Sequence, residues 1–293
     1  MTIDRGVWLN PDALSSSELV DLTRRVEELG YSTLWVGETT GRDPFAQCAH
    51  LGAVTTDLRL ASGIANVYHR HPGVMWQGAN TVAEQTGCRF TLGLGVSSPV
   101  LVSKVRGLEY SKPLSYLRNY LDQIESCRYT SVDPTTPPPI VLAALGPKML
   151  ELAAERTAGA HPYNVTPDHT AMARDIMGPD PGLYVEQKVM LTTDPELARE
   201  TAAKVLKFYN RAPGYRKAWI RMGFTDEEID DLAPRFLDAM VAWGDVDAIE
   251  ARLAEHAEAG ASHVCVHPLH PEKGQGQVGT EALVALAPGP TGP

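Results

Sequence analysis

A short apolar run followed by an amphipathic helix, repeated along most of the 293-residue chain, is the pattern that most restricts how this sequence can fold. Strands are predicted at GVWL (6–9), TLWVGE (33–38), LRLASGIAN (58–66), RFTLGLGV (89–96), IVLAAL (140–145), GAHPYNV (159–165), GLYVEQKVML (182–191) and HVCVH (263–267). Between them, apolar positions recur at helical spacing, as in Leu19, Leu22, Val26 and Leu29. Ser15 to Ser17 offer an N-cap to that helix and Gly30 ends it, while Asp43 followed by Pro44 opens a second helix over 44–54. Further helices are predicted over 73–86, 114–126, 147–158 and 169–177. A long helical stretch then runs to Met240, ahead of a helix containing Ile249 and Leu253.

Continuous apolar strands alternating with helices call for a parallel sheet covered by helices. Eight such units in this length fit a closed (β/α)8 TIM barrel of the α/β class, with extra helical material between strands seven and eight. An open doubly wound sheet is the alternative. The proline-rich linker DPTTPPP (133–139) is too short to separate domains. Residues 1–270 are therefore expected to form a single barrel domain. The Gly/Pro-rich segment 271–293 has little to bury and is expected to be a mobile or surface-lying tail.

A net charge of −10 argues against broad binding to nucleic acid or to an anionic membrane surface, both of which repel an acidic protein. No stretch approaches the roughly 20 apolar residues of a membrane span, and the N-terminus lacks a secretory pattern, so a cytoplasmic location is expected. Cys48, Cys88, Cys127 and Cys265 are too widely spaced for a zinc or redox pair, and no metal site is predicted; all four are read as reduced packing residues.

The working residues of such a barrel lie just past the C-terminal ends of its strands. Glu38 follows the second strand, where a carboxylate exchanges a proton with substrate or orients it, or else sits in a loop salt bridge. After the third strand, Gly63 permits unusual backbone geometry, and Asn66, Tyr68, His69, Arg70 and His71 crowd polar groups into a short span; a solvated loop ahead of a helix at Pro72 is the plainer account. In TLGLGVSS, Gly93 and Gly95 would let backbone amides approach an anion, with Ser97 and Ser98 as donors, yet the third glycine of a dinucleotide loop and the lysine of a P-loop are both absent. Gly146, Pro147 and Lys148 open a helix whose N-terminus favours phosphate. Tight barrel packing and an ordinary helix start explain the same residues.

Taken in order and spacing, GIANVYHRHP, RFTLGLGV and VLAALGPKMLELAAERTAGAHPYNVTPDH resemble the luciferase-like, coenzyme F420-dependent oxidoreductases, over residues 6–267. That resemblance implies a cis peptide at Gly63–Ile64 in a bulge supporting one face of the deazaflavin, with Asn66 near the ring. It further implies that the 93–98 loop (Gly93, Gly95, Ser97, Ser98) and the Gly146–Lys148 turn hold the cofactor's phosphate side, and that His161, Pro162 and Tyr163 border the ring. Glu38 or His69 would supply or remove the proton that accompanies hydride transfer. Better-studied sugar-phosphate members carry a histidine and a tryptophan near the end of the second strand. Glu38, Thr39 and Thr40 stand there in this chain, which argues against a sugar-phosphate substrate. The implied function is hydride transfer between F420 and a small organic molecule by a homodimer. The alternatives are an FMN-dependent monooxygenase on the same barrel and a catalytically silent cofactor-binding barrel.

Overall fold

Alternate residues of a barrel strand divide between the lumen and the helical jacket, and here the register closes that division into a ring. The computed structural model describes residues 3–289. β1 (Asp4–Leu9) pairs in parallel with β2 (Thr33–Val36), and β2 with β3 (Arg59–Ser62). Past residues 63 and 64 the chain resumes as β4 (Ala65–Asn66), and both segments lie along β5 (Phe90–Gly95). β5 leads to β6 (Ile140–Leu142), β7 (Gly159–Ala160) and β8 (Gly182–Leu191). β9 (Val241–Gly244) pairs with the C-terminal half of β8, from Lys188↔Val241 to Leu191↔Gly244, beyond the stretch that the short β7 occupies. β10 (His263–His270) joins β8 on one side and β1 on the other, closing an eight-stranded parallel barrel. Each predicted strand is present in it.

The helices start where the sequence places caps. α1 (Ser16–Glu28) carries a capping box between Ser15 and Glu18, and α2 (Pro44–Gly52) begins on Asp43, which accepts from the Phe45 and Ala46 amides. α3 (Pro72–Gln85), α4 (Pro113–Ser126), α5 (Pro147–Arg156) and α6 (Pro167–Met177) follow their strands, with a short π-helical turn, Val100–Val105, preceding α4. Outward-facing Val7, Leu9, Leu34, Val36, Leu60, Leu92 and Leu94 are buried against this jacket. Lumen-facing Trp8, Trp35, Ala61, Val141, Tyr163 and Cys265 form a separate core inside the ring.

The extra material after β8 is α7 (Pro195–Leu206), α8 (Pro213–Arg221), α9 (Asp226–Asp230) and α10 (Pro234–Met240). It builds a core of its own around Trp219, Phe224 and Phe236. The Trp219 indole donates to the Asn164 carbonyl at 3.0 Å, which ties this block to the barrel mouth. α11 (Val246–Glu258) then leads into β10.

One expectation is corrected. Residues after His270 do not form a tail with little to bury. β11 (Gly274–Val278) folds back antiparallel on β10, and α12 (Thr280–Ala285) buries Ala282 and Leu283, with its C-cap Leu286 buried beside them. The Tyr31 hydroxyl and the Arg5 guanidinium donate to the carbonyls of Leu283 and Leu286, so α12 is the helix that completes the eighth unit. Glycine and proline on both sides of a short helix hid its apolar face; the end of the expected tail, 290–293, lies outside the described residues. Of the four cysteines, all unpaired, Cys48 and Cys265 are buried, whereas Cys88 and Cys127 are only half-buried. Among the described residues no helix is long and apolar enough to cross a membrane, and no cluster of three or more metal-ligating side chains occurs.

Candidate functional site

The C-terminal end of β3 carries the feature on which the mouth is organised. The Gly63–Ile64 peptide is cis, as the resemblance implied. Gly63 and Ile64 keep partial exposure between the buried neighbours Ser62 and Ala65. The Trp8 indole donates to the Gly63 carbonyl at 3.0 Å, and the Ser62 hydroxyl to the Gly93 carbonyl at 2.9 Å. Gly93 and Gly95 are glycines because of this neighbour: a Cβ on Gly93 would overlap the Ser62 carbonyl oxygen, and one on Gly95 would lie 2.5 Å from Ile64 Cδ1. Their place is behind the bulge, as packing.

Beyond the bulge the predicted polar residues hold one another. The Asn66 amide donates to Glu38 Oε2 at 2.7 Å, and Arg70 reaches Glu38 at 2.8 Å and Asp43 at 2.5 Å. His69 lies with Nδ1 3.4 Å from Glu38 and Nε2 3.0 Å from Asn66 Nδ2; with Asn66 donating, the ring proton is at Nδ1. Asn66 Oδ1 accepts from the Tyr68 amide, so Asn66 is buried and engaged at both ends of its side chain. Glu38 and His69 thus come together, but as the inner posts of the loop, with the carboxylate oxygens already taken by donors.

The remaining predicted residues fall into two groups. Ser97 is exposed with φ 54°, and the Ser98 hydroxyl accepts from the Leu101 amide at 3.3 Å. Gly146 occupies the N-cap of α5 with no side-chain cap, Pro147 follows, and Lys148 is exposed. The guanidinium of Arg221, at the end of α8, comes within 3.6 Å of where a Gly146 Cβ would stand; this cation, distant in sequence, was not anticipated. His161, Pro162 and Tyr163 continue β7 into the lumen and are all buried. His161 stacks on Trp35 with centroids 4.3 Å apart and donates Nδ1 to the Tyr184 carbonyl at 2.7 Å, and burial pushes its pKa down to about 4.

The lumen also holds a charged group that sequence reasoning missed. Glu186 and Lys188 lie two apart on β8 and so share its inward face, a signal present in GLYVEQKVML but overlooked in favour of the loops. Glu186 accepts from Lys188 Nζ at 2.9 Å, from His267 Nδ1 at 2.8 Å and from the Asn164 amide at 3.1 Å. Burial works to raise the Glu186 pKa, yet the Lys188 charge and the His267 hydrogen bond outweigh it and hold the carboxyl at about 2. Lys188 Nζ also reaches Asn164 Oδ1 at 2.5 Å and stands 3.9 Å over the Tyr163 ring, with Tyr209 hydrogen-bonded to the Tyr163 hydroxyl above it. Burial lowers the pKa of both Lys188 and His267. His267 in turn packs against Trp8, centroids 4.5 Å apart, which links the group to the bulge.

An eight-stranded parallel barrel whose mouth is built from the C-terminal strand ends is the architecture of the (β/α)8-barrel enzymes, whose chemistry is set by the residues at that mouth. Residues 1–263 match the family model of the luciferase-like monooxygenases, and the chain belongs to that family. A protein of Mycobacterium tuberculosis, provisionally named a coenzyme F420-dependent oxidoreductase, is 25% identical over 89% of this chain and 92% of its own. Among solved structures, the coenzyme F420-dependent tetrahydromethanopterin reductase of Methanopyrus kandleri superposes with a TM-score of 0.79 at 17% identity, covering 99% of both chains. An F420-dependent secondary alcohol dehydrogenase bound to an F420–acetone adduct does so with a TM-score of 0.73 at 13% identity, over 98% of this chain and 99% of that one.

Proposed function

We propose that this protein is a coenzyme F420-dependent oxidoreductase that moves a hydride between the deazaflavin and a small organic substrate. The observation that carries this reading is the glycine-backed platform at the end of β3. Gly93 and Gly95 leave room for the Ile64 side chain, and Trp8 fixes the Gly63 carbonyl, so the partly exposed Gly63–Ile64 peptide stands at the barrel mouth. The relatives named for F420 support the choice of cofactor.

The residues present fit such a group. A planar ring rests on an apolar platform bordered by aromatic side chains, here Ile64, Trp8 and Tyr163. Its anionic tail needs amides and cations, which the uncapped start of α5 supplies with Lys148 and Arg221. Gly93 and Gly95 support the platform from behind. When bound, the deazaflavin supplies a carbon that accepts or releases hydride and reacts poorly with oxygen. The chain's own part is to orient and to exclude water. Asn66, Glu38, His69 and Arg70 fix the loop beside the platform through their mutual hydrogen bonds, and Tyr163 and Tyr209 close the mouth on the β7 side.

Titration of F420 and FMN separately, followed by fluorescence quenching, tests the reading. Saturable F420 binding at micromolar concentration, with FMN at least tenfold weaker, is expected. Tight FMN binding without F420 binding would overturn it in favour of a flavin monooxygenase.

A further inference from the structure

Hydride transfer to or from an alcohol, amine or their oxidised forms is accompanied by a proton, and one histidine at the mouth has a nitrogen free to carry it. His69 has both ring nitrogens facing polar partners, Glu38 and Asn66. His161 gives Nδ1 to the Tyr184 carbonyl, and its Nε2 is sealed in the lumen. His267 gives Nδ1 to Glu186, while its Nε2 has no hydrogen-bond partner among the described residues and is not one of the sealed atoms. The His267 ring lies against Trp8, whose indole holds the Gly63 carbonyl, so a single side chain separates His267 from the platform on which the cofactor is placed.

We propose that His267 is the proton-exchanging residue of the reaction, with Glu186 as the positioning residue that fixes its tautomer; the proposal rests on the hydride-transfer reading above. In the oxidative direction Nε2 takes the hydroxyl proton of an alcohol. The O–H electron pair becomes the second C–O bond, and the carbinol C–H pair leaves as hydride to an oxidised deazaflavin. The products are a carbonyl compound, the reduced carrier and an imidazolium, whose proton returns to solvent. Glu186 accepts from Nδ1 throughout and so keeps the lone pair on Nε2, and Lys188 and the Asn164 amide keep the carboxylate ionised and immobile. Glu186 and Lys188 from β8, Tyr163 from β7, Trp8 from β1, and Tyr209 and Tyr215 from the block after β8 are the groups that surround this assembly. Burial depresses the imidazole pKa, which keeps the ring neutral and ready to accept at neutral pH.

The test has two arms. In the first, nitrogen-15 NMR of the histidine rings in the cofactor-free protein is read at neutral pH. Protonated Nδ1 and bare Nε2 are expected for His267, with the tautomer mixed in Glu186→Gln; protonated Nε2 in the wild type overturns the proposal whatever the cofactor does. In the second, His267→Asn and His267→Gln are compared with wild type for F420 quenching, thermal melting and single-turnover reduction of F420 by a panel of secondary alcohols. The expected result is F420 affinity within about threefold, an unchanged melt, and a rate loss on the order of 10²-fold or more with loss of the acidic limb of the pH profile. Glu186→Gln is expected to shift that limb to lower pH, since the carboxylate's charge and hydrogen bond raise the imidazole pKa. Wild-type rate and pH profile in both His267 variants, or loss of F420 binding in both, overturns the assignment. Failure of the wild type to bind F420 counts against the hydride-transfer reading instead, and the NMR arm still decides the tautomer.

Discussion

Substituting Gly95 by alanine separates the two roles that its sequence context allows, packing and anion binding. A Cβ at Gly95 would lie 2.5 Å from Ile64 Cδ1 and 2.7 Å from Ile64 Cγ1, with the Ala143 Cβ at 3.0 Å closing the other side. Carbon atoms in contact prefer about 3.5–4.0 Å, so Ile64 must retreat by about 1 Å toward the mouth, because Ala143 blocks the opposite movement. Overpacking of this size costs about 1–3 kcal/mol. In a chain of this length that corresponds to a fall in Tm of about 2–5 °C. F420 affinity should drop together with stability, as the platform itself is displaced. Gly146→Ala is the control, since its Cβ would meet nothing closer than the Arg221 guanidinium at 3.6 Å and its φ of −106° suits any residue. Its stability should change by less than about 0.5 kcal/mol. Differential scanning calorimetry and F420 quenching on both variants decide the matter. A Gly95→Ala protein that melts and binds like the wild type would refute the claim that this glycine exists to back Ile64.

Two further outcomes follow from the buried charges. Arg70→Met leaves the Glu38 carboxylate, only 7% exposed, without its main counter-charge, and is expected to lower urea-unfolding stability by about 3 kcal/mol, whereas Glu38→Gln, which keeps an acceptor for the Asn66 amide, costs less; a change below about 0.5 kcal/mol in Arg70→Met would show that the pair is solvated. Acidification gives the second: His161 and His256 are held neutral by burial, with pKa values lowered from 6.5 to about 4 and about 3. The unfolded chain therefore takes up protons that the fold refuses, so stability is lost as pH falls from 6.5 toward 4, by several kcal/mol at about 1.4 kcal/mol per pH unit per group. Glu186 adds its own loss only lower, between 4.5 and about 2. Denaturation midpoints unchanged between pH 7 and pH 5 would contradict this.

The barrel was legible in the sequence because its strands are buried on both faces and read as unbroken apolar runs, with capped helices between them. Short elements set in irregular surroundings escaped. β9 is four residues at the end of a helical stretch, and α12 is six residues enclosed by glycine and proline. At the site, Gly63 stood out as a residue that permits unusual backbone geometry, and the cis bulge was implied by the family resemblance, but that Gly93 and Gly95 make room behind it for Ser62 and Ile64 was not legible. Glu38 and His69 were found as polar residues past strand ends, but their mutual hydrogen bonds, and the claim of Arg70 on Glu38, depend on a loop path that no local pattern encodes. Glu186, Lys188 and His267 were missed for the opposite reason: they sit within strands, where a charge is read as an interruption of the apolar run.

That placement is itself informative about energetics. A barrel lumen fills readily with branched apolar side chains, and a buried ion pair of this kind contributes little net stability once desolvation is counted. Lys188 and Glu186 are 0% and 1% exposed and hydrogen-bonded to each other, with Asn164 and His267 as their further partners. A packing requirement alone would be met at lower cost by two leucines. What two leucines would not provide is an imidazole whose Nδ1 is held by Glu186 and whose Nε2 is left without a hydrogen-bond partner among the described residues. The cluster is therefore better understood as equipment for moving a proton than as part of what holds the barrel closed, and Trp8, touching both His267 and the Gly63 carbonyl, is the contact that sets the one in register with the other.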